Sequence, residues 1–513
     1  MKESNMKKLT LQLLVTIIYI VKSGKKKGIM DNNMEERLLG SETEGPTDLK
    51  WRIWEESKKA WRITFPAMLS RITAFGMLVV TQAFIGHISQ LDLSAFALTQ
   101  TILVRFCNGI LVGMSSATET LCGQAFGAKQ YHMMGIYLQR SWLVDVTMAT
   151  IMAPLFIFAT SIFKLLGQED DIAIAVRSFS LWFLPFLYYL VFSMTLQMFL
   201  QAQLKNMIVA WVSAASFVLH VLLSWLFVIK LNLGIPGAMS ALTISSWSMV
   251  IGESVYVFGG WCPKTWRGLS SAAFTDILPV IKLSVSSGFM LCLELWYNAV
   301  VLLVAGYLKD ASIAISAFSI CININTWELM LCLGFVGASC VRVANELGRG
   351  NAKAAIFSIK VILCNSILIG VIFWVLCLVF GHDIAYLFTS DEEVITMVSS
   401  LSVLLSFSIL LNSVQPVLIG VAIGAGWQGA VGIVNVGCYY VVGIPIGALL
   451  AYVADLSVRG MWIGVLCGIG MQTLVLTIMT WRTNWDEQVK KTSDHLNKWL
   501  LESSESNQNS PQA

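Results

Sequence analysis

One acidic residue sits in the middle of a long apolar run. In GFMLCLELWYNAVVLLV, residues 288–304, Glu294 is the sole charge. An ionisable side chain at the centre of a bilayer costs roughly 2.5–3.5 kcal/mol or more, so it is kept for a function or as a tie between helices. A carboxyl that takes up and releases a proton is the chemistry such a position offers. Asn298 lies one helical turn further on, on the same face. A second acid, Glu328, lies in another apolar stretch with Asn325 three residues before it. That pair suits either cavity chemistry or a hydrogen bond between helices.

The other ionisable groups in apolar stretches have plainer readings. Asp145 is expected to pair with Arg140 or Arg105. Glu119 and Glu253 fall near the ends of their stretches, where the cost of a charge is small. His220 reads as a hydrogen-bonded packing residue rather than a proton relay. The five histidines (87, 132, 220, 382, 495) are far apart and form no HExxH, and no GxxxxGK[ST] is present. No zinc hydrolase or direct use of ATP is therefore indicated. The eleven cysteines include no CxxC pair and mostly lie in apolar runs, where they act as small apolar side chains. No metal site, cofactor or enzymatic activity is expected.

What must hold these groups is a membrane-spanning bundle. The chain has 513 residues, of which 56% are hydrophobic and 13% charged, with mean hydropathy +0.71. Soluble domains carry about 25% charged residues, so an ordinary soluble enzyme and a disordered chain are both excluded. A net charge of +3 offers no broad face to nucleic acid. Windows of about 20 apolar residues predict twelve spans: 63–86, 95–118, 136–160, 173–198, 207–229, 236–258, 280–306, 313–340, 355–380, 394–418, 428–453 and 460–481. Lys and Arg gather before the first span, after the last, and in the second-to-third, fourth-to-fifth, sixth-to-seventh and eighth-to-ninth connections. The positive-inside rule then puts both termini in the cytosol, as an even span count requires.

Residues 1–49 read as a poorly ordered cytosolic tail. Its apolar stretch Leu9–Val21 is short for a span, and Met34 opens MEERLL, which has the look of a natural start with a weak acidic dileucine signal. An amino-terminal lobe is expected over 50–260, a cytosolic linker over 261–279, a carboxy-terminal lobe over 280–485 and a cytosolic tail over 486–513.

The two lobes read as a repeat. LSAFAL at 93–98 matches ISAFSI at 315–320, offset 222. GMSSATETLCGQAFGAKQ at 113–130 matches GFVGASCVRVANELGRGN at 334–351, offset 221, which pairs Gly113 with Gly334 and Gly127 with Gly348. LGIPGAMS at 233–240 matches LSVRGMWI at 456–463, offset 223, which pairs Gly237 with Gly460. Six helices per half make the repeats parallel, related by an axis along the membrane normal. Such a duplication suits two lobes rocking about a central site, against the alternative of a duplicated scaffold without transport. The glycines at 123, 127, 348 and 350 are expected to supply loop conformations with positive φ, and Gly420 and Gly424, one turn apart, close helix packing.

LCGQAFGAKQ (121–130), VRVANELGRGN (341–351), LCLELWYN (291–298) and NSVQPVLIGVAIGAGWQ (412–428) together resemble plant multidrug and toxic compound extrusion (MATE) transporters, the last two most of all the branch that includes vacuolar flavonoid transporters. The resemblance runs from about residue 50 to 490. It implies an all-α polytopic membrane protein of 12 transmembrane helices in two six-helix lobes related by pseudo-two-fold symmetry. It also implies a secondary active antiporter that exports organic solutes or xenobiotics from the cytosol in exchange for protons, by alternating access of a central cavity in a vacuolar or plasma membrane. The partners implied are a small organic solute, protons and the lipid bilayer, with a monomeric state. An anion channel or uniporter of the same fold is the alternative.

In the family a seventh-span glutamate works with a tenth-span aspartate. Glu294 falls on the first position, and Asn412, which cannot titrate, on the second. The proton affinity of Glu294 is then expected to be set by burial and by neutral groups, with Asn412, Gln415, Asn298, Tyr439 and Tyr440 as candidates. Asn325 and Glu328 join them as cavity candidates, and Pro66, Pro416 and Pro445 as gating or helix-break positions. Some bacterial members carry a proton-binding aspartate in the first span. Here that span has Arg71 and Gln82 and no acid, so no proton site is expected in the amino-terminal lobe.

Overall fold

The computed structural model describes residues 49–165, 170–305, 311–386, 392–494 and 496. The apolar stretch Leu9–Val21, the dileucine-like segment and most of the carboxy-terminal tail lie outside these residues. Twelve helices are long and apolar enough to cross a membrane: α1 Leu49–Gly86, α2 Leu91–Gly127, α3 Tyr131–Ile157, α4 Asp170–Ala202, α5 Met207–Lys230, α6 Gly234–Trp261, α7 Leu278–Tyr297, α8 Ile320–Gly348, α9 Ala352–Phe380, α10 Glu392–Gly424, α11 Gln428–Val453 and α12 Ser457–Arg482. The helix carrying α7 continues to Ala305 and that carrying α8 begins at Ala311. No strand occurs among the described residues.

Each expected span is found, and most helices run past the apolar window. The first is the clearest case, starting at Leu49 rather than near 63 because its opening turns, with exposed Lys50, Arg52 and Lys58, continue the helix beyond the hydrocarbon. Pro66, Pro154, Pro185 and Pro416 sit inside helices. Pro445 opens the segment Ile444–Ala448. Wide π turns interrupt α2 at Thr99–Val104 and α11 at Val436–Gly443, and end α5 at Trp225–Lys230 and α11 at Leu449–Val453. Tyr439 and Tyr440 lie on the first of the α11 turns, a winding that recurs at functional sites.

The repeat is written into the backbone. Lys129 (φ 61°) and Gly350 (φ 82°), 221 residues apart, hold the same left-handed position after α2 and α8. Asn232 and Gly234 (φ 50° and 57°) correspond to Asp455 and Ser457 (φ 51° and 47°), 223 residues apart. Gly127 and Gly348 are not such positions. Both end their helices, and what they supply is proximity: a Cβ on Gly127 would fall on the Asn345 carbonyl and one on Gly348 on the Gln124 carbonyl. Gln124 and Asn345 are themselves repeat mates, so α2 and α8 cross on the pseudo-two-fold axis. Gly113 meets Ser287 and Gly288 of α7, while Gly334 meets Thr64 and Met68 of α1, the same contact in the other half.

Core packing follows this exchange. The first half of α1, with Ala60, Ile63 and Met68, packs on Phe335, Ala338 and Val341 of α8 and on Val417 of α10. Val280, Ile281 and Leu283 of α7 join the core of the first lobe. Gly420 and Gly424 let α10 close on Val336, Ser339 and Cys340 of α8, as their spacing predicts. Overpacking a close contact of this kind costs roughly 1–3 kcal/mol, and Ala at a positive-φ glycine about 1 kcal/mol or somewhat more. Gly348→Val is therefore expected to lower the detergent-solubilised melting temperature by more than Gly350→Ala. Equal melting temperatures for Gly348→Val and the wild type would contradict the axial contact.

Candidate coupling site

The carboxy-terminal lobe contains a closed circuit of polar side chains built on four helices. Glu294, about 24 Å along α7 at 1.5 Å per residue, accepts a hydrogen bond from Gln415 Nε2 of α10 at 2.9 Å through Oε1. The same amide nitrogen lies 2.9 Å from Tyr439 Oη and 2.8 Å from Gln472 Oε1. Tyr439 donates to Gln472 Oε1 at 2.6 Å, Gln472 Nε2 donates to Asn435 Oδ1 at 2.6 Å, and Asn435 Nδ2 donates to the Met290 carbonyl at 3.1 Å. Met290 lies one turn before Glu294, so the circuit returns to α7 through α12 and α11. Tyr297, on the Glu294 face, stacks on Tyr439 at 4.5 Å between ring centroids and 11° between planes. Tyr440 donates to the Leu293 carbonyl at 2.9 Å.

Two features of the circuit are chemically open. Gln415 Nε2 has two hydrogens and three acceptors within reach, so one bond is shared. Glu294 Oε2 is buried and has no hydrogen-bond partner. A carboxyl with one oxygen held and one oxygen bare is poised to accept a proton on the bare one.

A second cluster lies one turn earlier on α10. Asn412 Nδ2 donates to Asn325 Oδ1 at 2.9 Å and to Glu328 Oε2 at 3.3 Å. Cys332 Sγ donates to Glu328 Oε1 at 2.8 Å. Asn412 was expected beside Glu294; its bonds instead go to Glu328. The reason is helical: three residues on α10 turn Asn412 and Gln415 by about 300°, enough to serve different neighbours. Pro416 lacks an N–H and leaves the Asn412 carbonyl without its ordinary partner, loosening α10 between and beside the two clusters. Asn298 lies on the continuation of α7, and its side chain falls outside the described residues.

Other expectations need correction. Asp145 accepts from Ser115 at 3.1 Å rather than pairing with arginine, because Arg140 turns its guanidinium to the Ala272 carbonyl at 3.0 Å. Glu119 and Glu253, expected at cheap positions near helix ends, are 2% and 0% exposed, since neighbouring helices cover them. Gln201 Nε2 donates to Glu119 at 2.6 Å. His220 is held by Thr81 at 3.1 Å and Ser245 at 3.0 Å, the packing role its sequence context suggests.

Sequence reasoning passed over three further residues. Gln472 and Asn435 are neutral amides inside apolar spans, and their signal was only that such groups must find partners there. Glu56 precedes the first apolar window, yet it is 6% exposed and binds Arg342 bidentately at 2.6 and 3.1 Å. Arg342 also reaches Glu346 at 2.7 Å, and Ser358 donates to Glu56 at 2.6 Å. This buried ion network joins α1 to α8 and α9 at the end bearing the basic loops. At the same end Thr120 donates to the Ile423 carbonyl at 2.8 Å and Gln124 to that of Gly424 at 3.2 Å, so the two lobes meet there.

Comparison with known proteins agrees with this architecture. The MatE family model matches twice, over residues 66–226 and 287–449, one match in each half and with starts 221 residues apart. Protein DETOXIFICATION 24 of Arabidopsis thaliana is 53% identical over 484 residues, covering 93% of this chain and 97% of the relative. Protein DETOXIFICATION 25 of the same plant is 54% identical over 472 residues, covering 91% and 95%. Among solved structures, the eukaryotic MATE transporter AtDTX14 superposes with TM-score 0.79 at 30% identity, over 86% of this chain and 99% of that one. Vibrio cholerae VcmN in its bent form shares the fold, with TM-score 0.74 at 17% identity over 86% and 98%. With a duplicated match in register with its own repeat and relatives half identical along nearly the whole length, the chain belongs to the MatE family of multidrug and toxic compound extrusion transporters.

Proposed function

We propose that this protein is a secondary active antiporter that moves organic solutes out of the cytosol in exchange for protons, with both termini cytosolic, in the vacuolar or plasma membrane. The observation that carries this reading is Glu294, with one oxygen held by Gln415 and the other buried without a partner. Taking up a proton on Oε2 turns Oε1 from a charged carboxylate oxygen into a neutral carbonyl oxygen, so the charge-assisted bond from Gln415 weakens. Gln415 also holds Tyr439 and Gln472, so the change passes to α11 and α12. Protonation is in this way tied to helix arrangement, as exchange requires. Planar aromatic solutes, flavonoids among them, are the class this reading favours: Trp296 of α7, 49% exposed, meets Phe106 of α2 edge-to-face at 5.5 Å between the lobes.

Three outcomes follow. In proteoliposomes under an imposed pH gradient, Glu294→Gln is expected to abolish uphill accumulation of a labelled flavonoid glucoside while leaving downhill equilibration and melting temperature within error of the wild type. Retained uphill accumulation would move coupling elsewhere, and a wild type that only dissipates gradients would favour a channel.

Asn412→Asp places a second carboxyl against Glu328 rather than Glu294, so the pH profile of transport is expected to shift through like-charge coupling. Adding Glu328→Gln should restore the original profile. A shift that survives Glu328→Gln would show that residue 412 acts on Glu294 after all.

Single cysteines in a cysteine-free background at 88 and at 264 test the orientation. A membrane-impermeant maleimide added outside right-side-out vesicles should label the first and spare the second, and the reverse pattern would invert the topology.

A further inference from the structure

In the amino-terminal lobe, where the apolar window 63–86 carries no acid, α6 supplies one. Glu253 of α6 is 0% exposed, and neither of its carboxyl oxygens has a hydrogen-bond partner. Gln197 and Ser193 of α4 are the polar groups beside its carboxyl. They belong to a chain of small polar groups. Gln197 Nε2 donates to Ser193 Oγ at 2.8 Å, Ser70 Oγ of α1 donates to Gln197 Oε1 at 3.3 Å, and Ser213 Oγ of α5 donates to Ser70 Oγ at 3.1 Å. Ser70, Ser193 and Ser213 are buried, whereas Gln197 is half-buried, so the chain has one partly exposed end.

The surroundings offer Glu253 no cation. Tyr189 is the titratable neighbour on α4, and its hydroxyl is committed to Met249 Sδ at 3.6 Å. On α1, Arg71 interacts with Glu119. On α5, His220 bonds Ser245, eight residues or about 12 Å along α6 from Glu253. A carboxylate with no cation beside it and no donor in good bonding geometry is heavily penalised inside a protein, and a proton on either oxygen relieves that penalty.

We propose that Glu253 is an exchangeable proton-binding carboxyl of the amino-terminal lobe, reached through Gln197 and Ser193 and separate from Glu294. The assignment rests on the antiport reading and extends it by giving the amino-terminal lobe a titrating acid of its own. The proton moves along existing O–H and N–H groups between solvent at Gln197 and the Glu253 carboxyl, and no other covalent bond changes.

The test uses the purified full-length protein and reads protonated carboxyls directly, by the infrared C=O stretch across a pH titration and by its isotope shift in D2O. Glu253→Gln should remove one band that vanishes at alkaline pH and Glu294→Gln a different one, so a failure at one site is visible apart from a failure at the other. Gln197→Leu should keep the Glu253 band but slow its D2O exchange about tenfold, as expected for loss of one hydrogen-bonded step. Glu253→Met, which fills the space without the unsatisfied group, should melt no lower than the wild type if the acid is not a structural tie. A spectrum unchanged by Glu253→Gln, a Glu253 band that persists at every pH, or exchange indifferent to Gln197→Leu would overturn the proposal.

Discussion

Inside a bilayer no water stands ready to satisfy a polar side chain, so each such group must be answered by another helix. The circuit from Glu294 through Gln415, Gln472 and Asn435 back to the Met290 carbonyl is that constraint carried to closure. It explains why three neutral amides sit where apolar residues would pack more simply. One carboxyl on α7 needs a donor, that donor needs its own orientation fixed, and the requirement propagates until it returns to the starting helix. The price is rigidity: moving any one of the four helices leaves a buried amide unpaired. A circuit with one bare carboxyl oxygen has a way out, because a proton changes the number of donors needed without moving a helix first.

Duplication places that circuit. The halves are joined where equivalent glycines let α2 and α8 cross, with Gly127 on the Asn345 carbonyl and Gly348 on the Gln124 carbonyl. Backbone approach of this kind tolerates pivoting better than interlocked side chains. Ion pairing between Glu56 and Arg342 ties the same end with groups that hydrate well when exposed. A buried ion pair contributes little net stability against its desolvation cost. At a lobe junction, separating such a pair would restore to the charges the water that burial took away. Apolar contacts in the same place would oppose opening by their full transfer energy.

The fold was legible in the sequence because its determinants are local. Twelve apolar windows, the distribution of Lys and Arg, and a 221–223-residue offset are each readable without knowing what touches what. Glu294 was legible for the same reason, as a lone charge in an apolar run. Partnership was not. Asn412 bonds Glu328 instead of Glu294, Asp145 bonds Ser115 instead of Arg140, and Gln472 and Asn435 went unnoticed. These facts depend on helix rotation about the long axis, and uniformly apolar spans have no polar face by which rotation can be read. The glycines failed in a related way. Composition announces that a residue without Cβ is needed at 348 but not whether the reason is a left-handed turn or a neighbour's backbone, and only Gly350 proved to be the turn.

Asn412 shows how a departure from a family pattern can be absorbed. Two clusters share α10: one around Glu294 through Gln415, the other around Glu328 through Asn412, with Pro416 immediately after both. An acid at 412 would face Glu328 at the 3.3 Å now spanned by an amide donor, and two carboxylates at that range cannot both be charged at small cost. The amide removes the conflict by donating where an acid would repel. It also frees the two clusters from each other, since Asn412 and Gln415 answer different acids. The tenth helix therefore serves both acids through neutral amides without itself contributing a carboxyl. Asn412 is then better understood as the partner chosen by Glu328 than as a coupling acid that was lost.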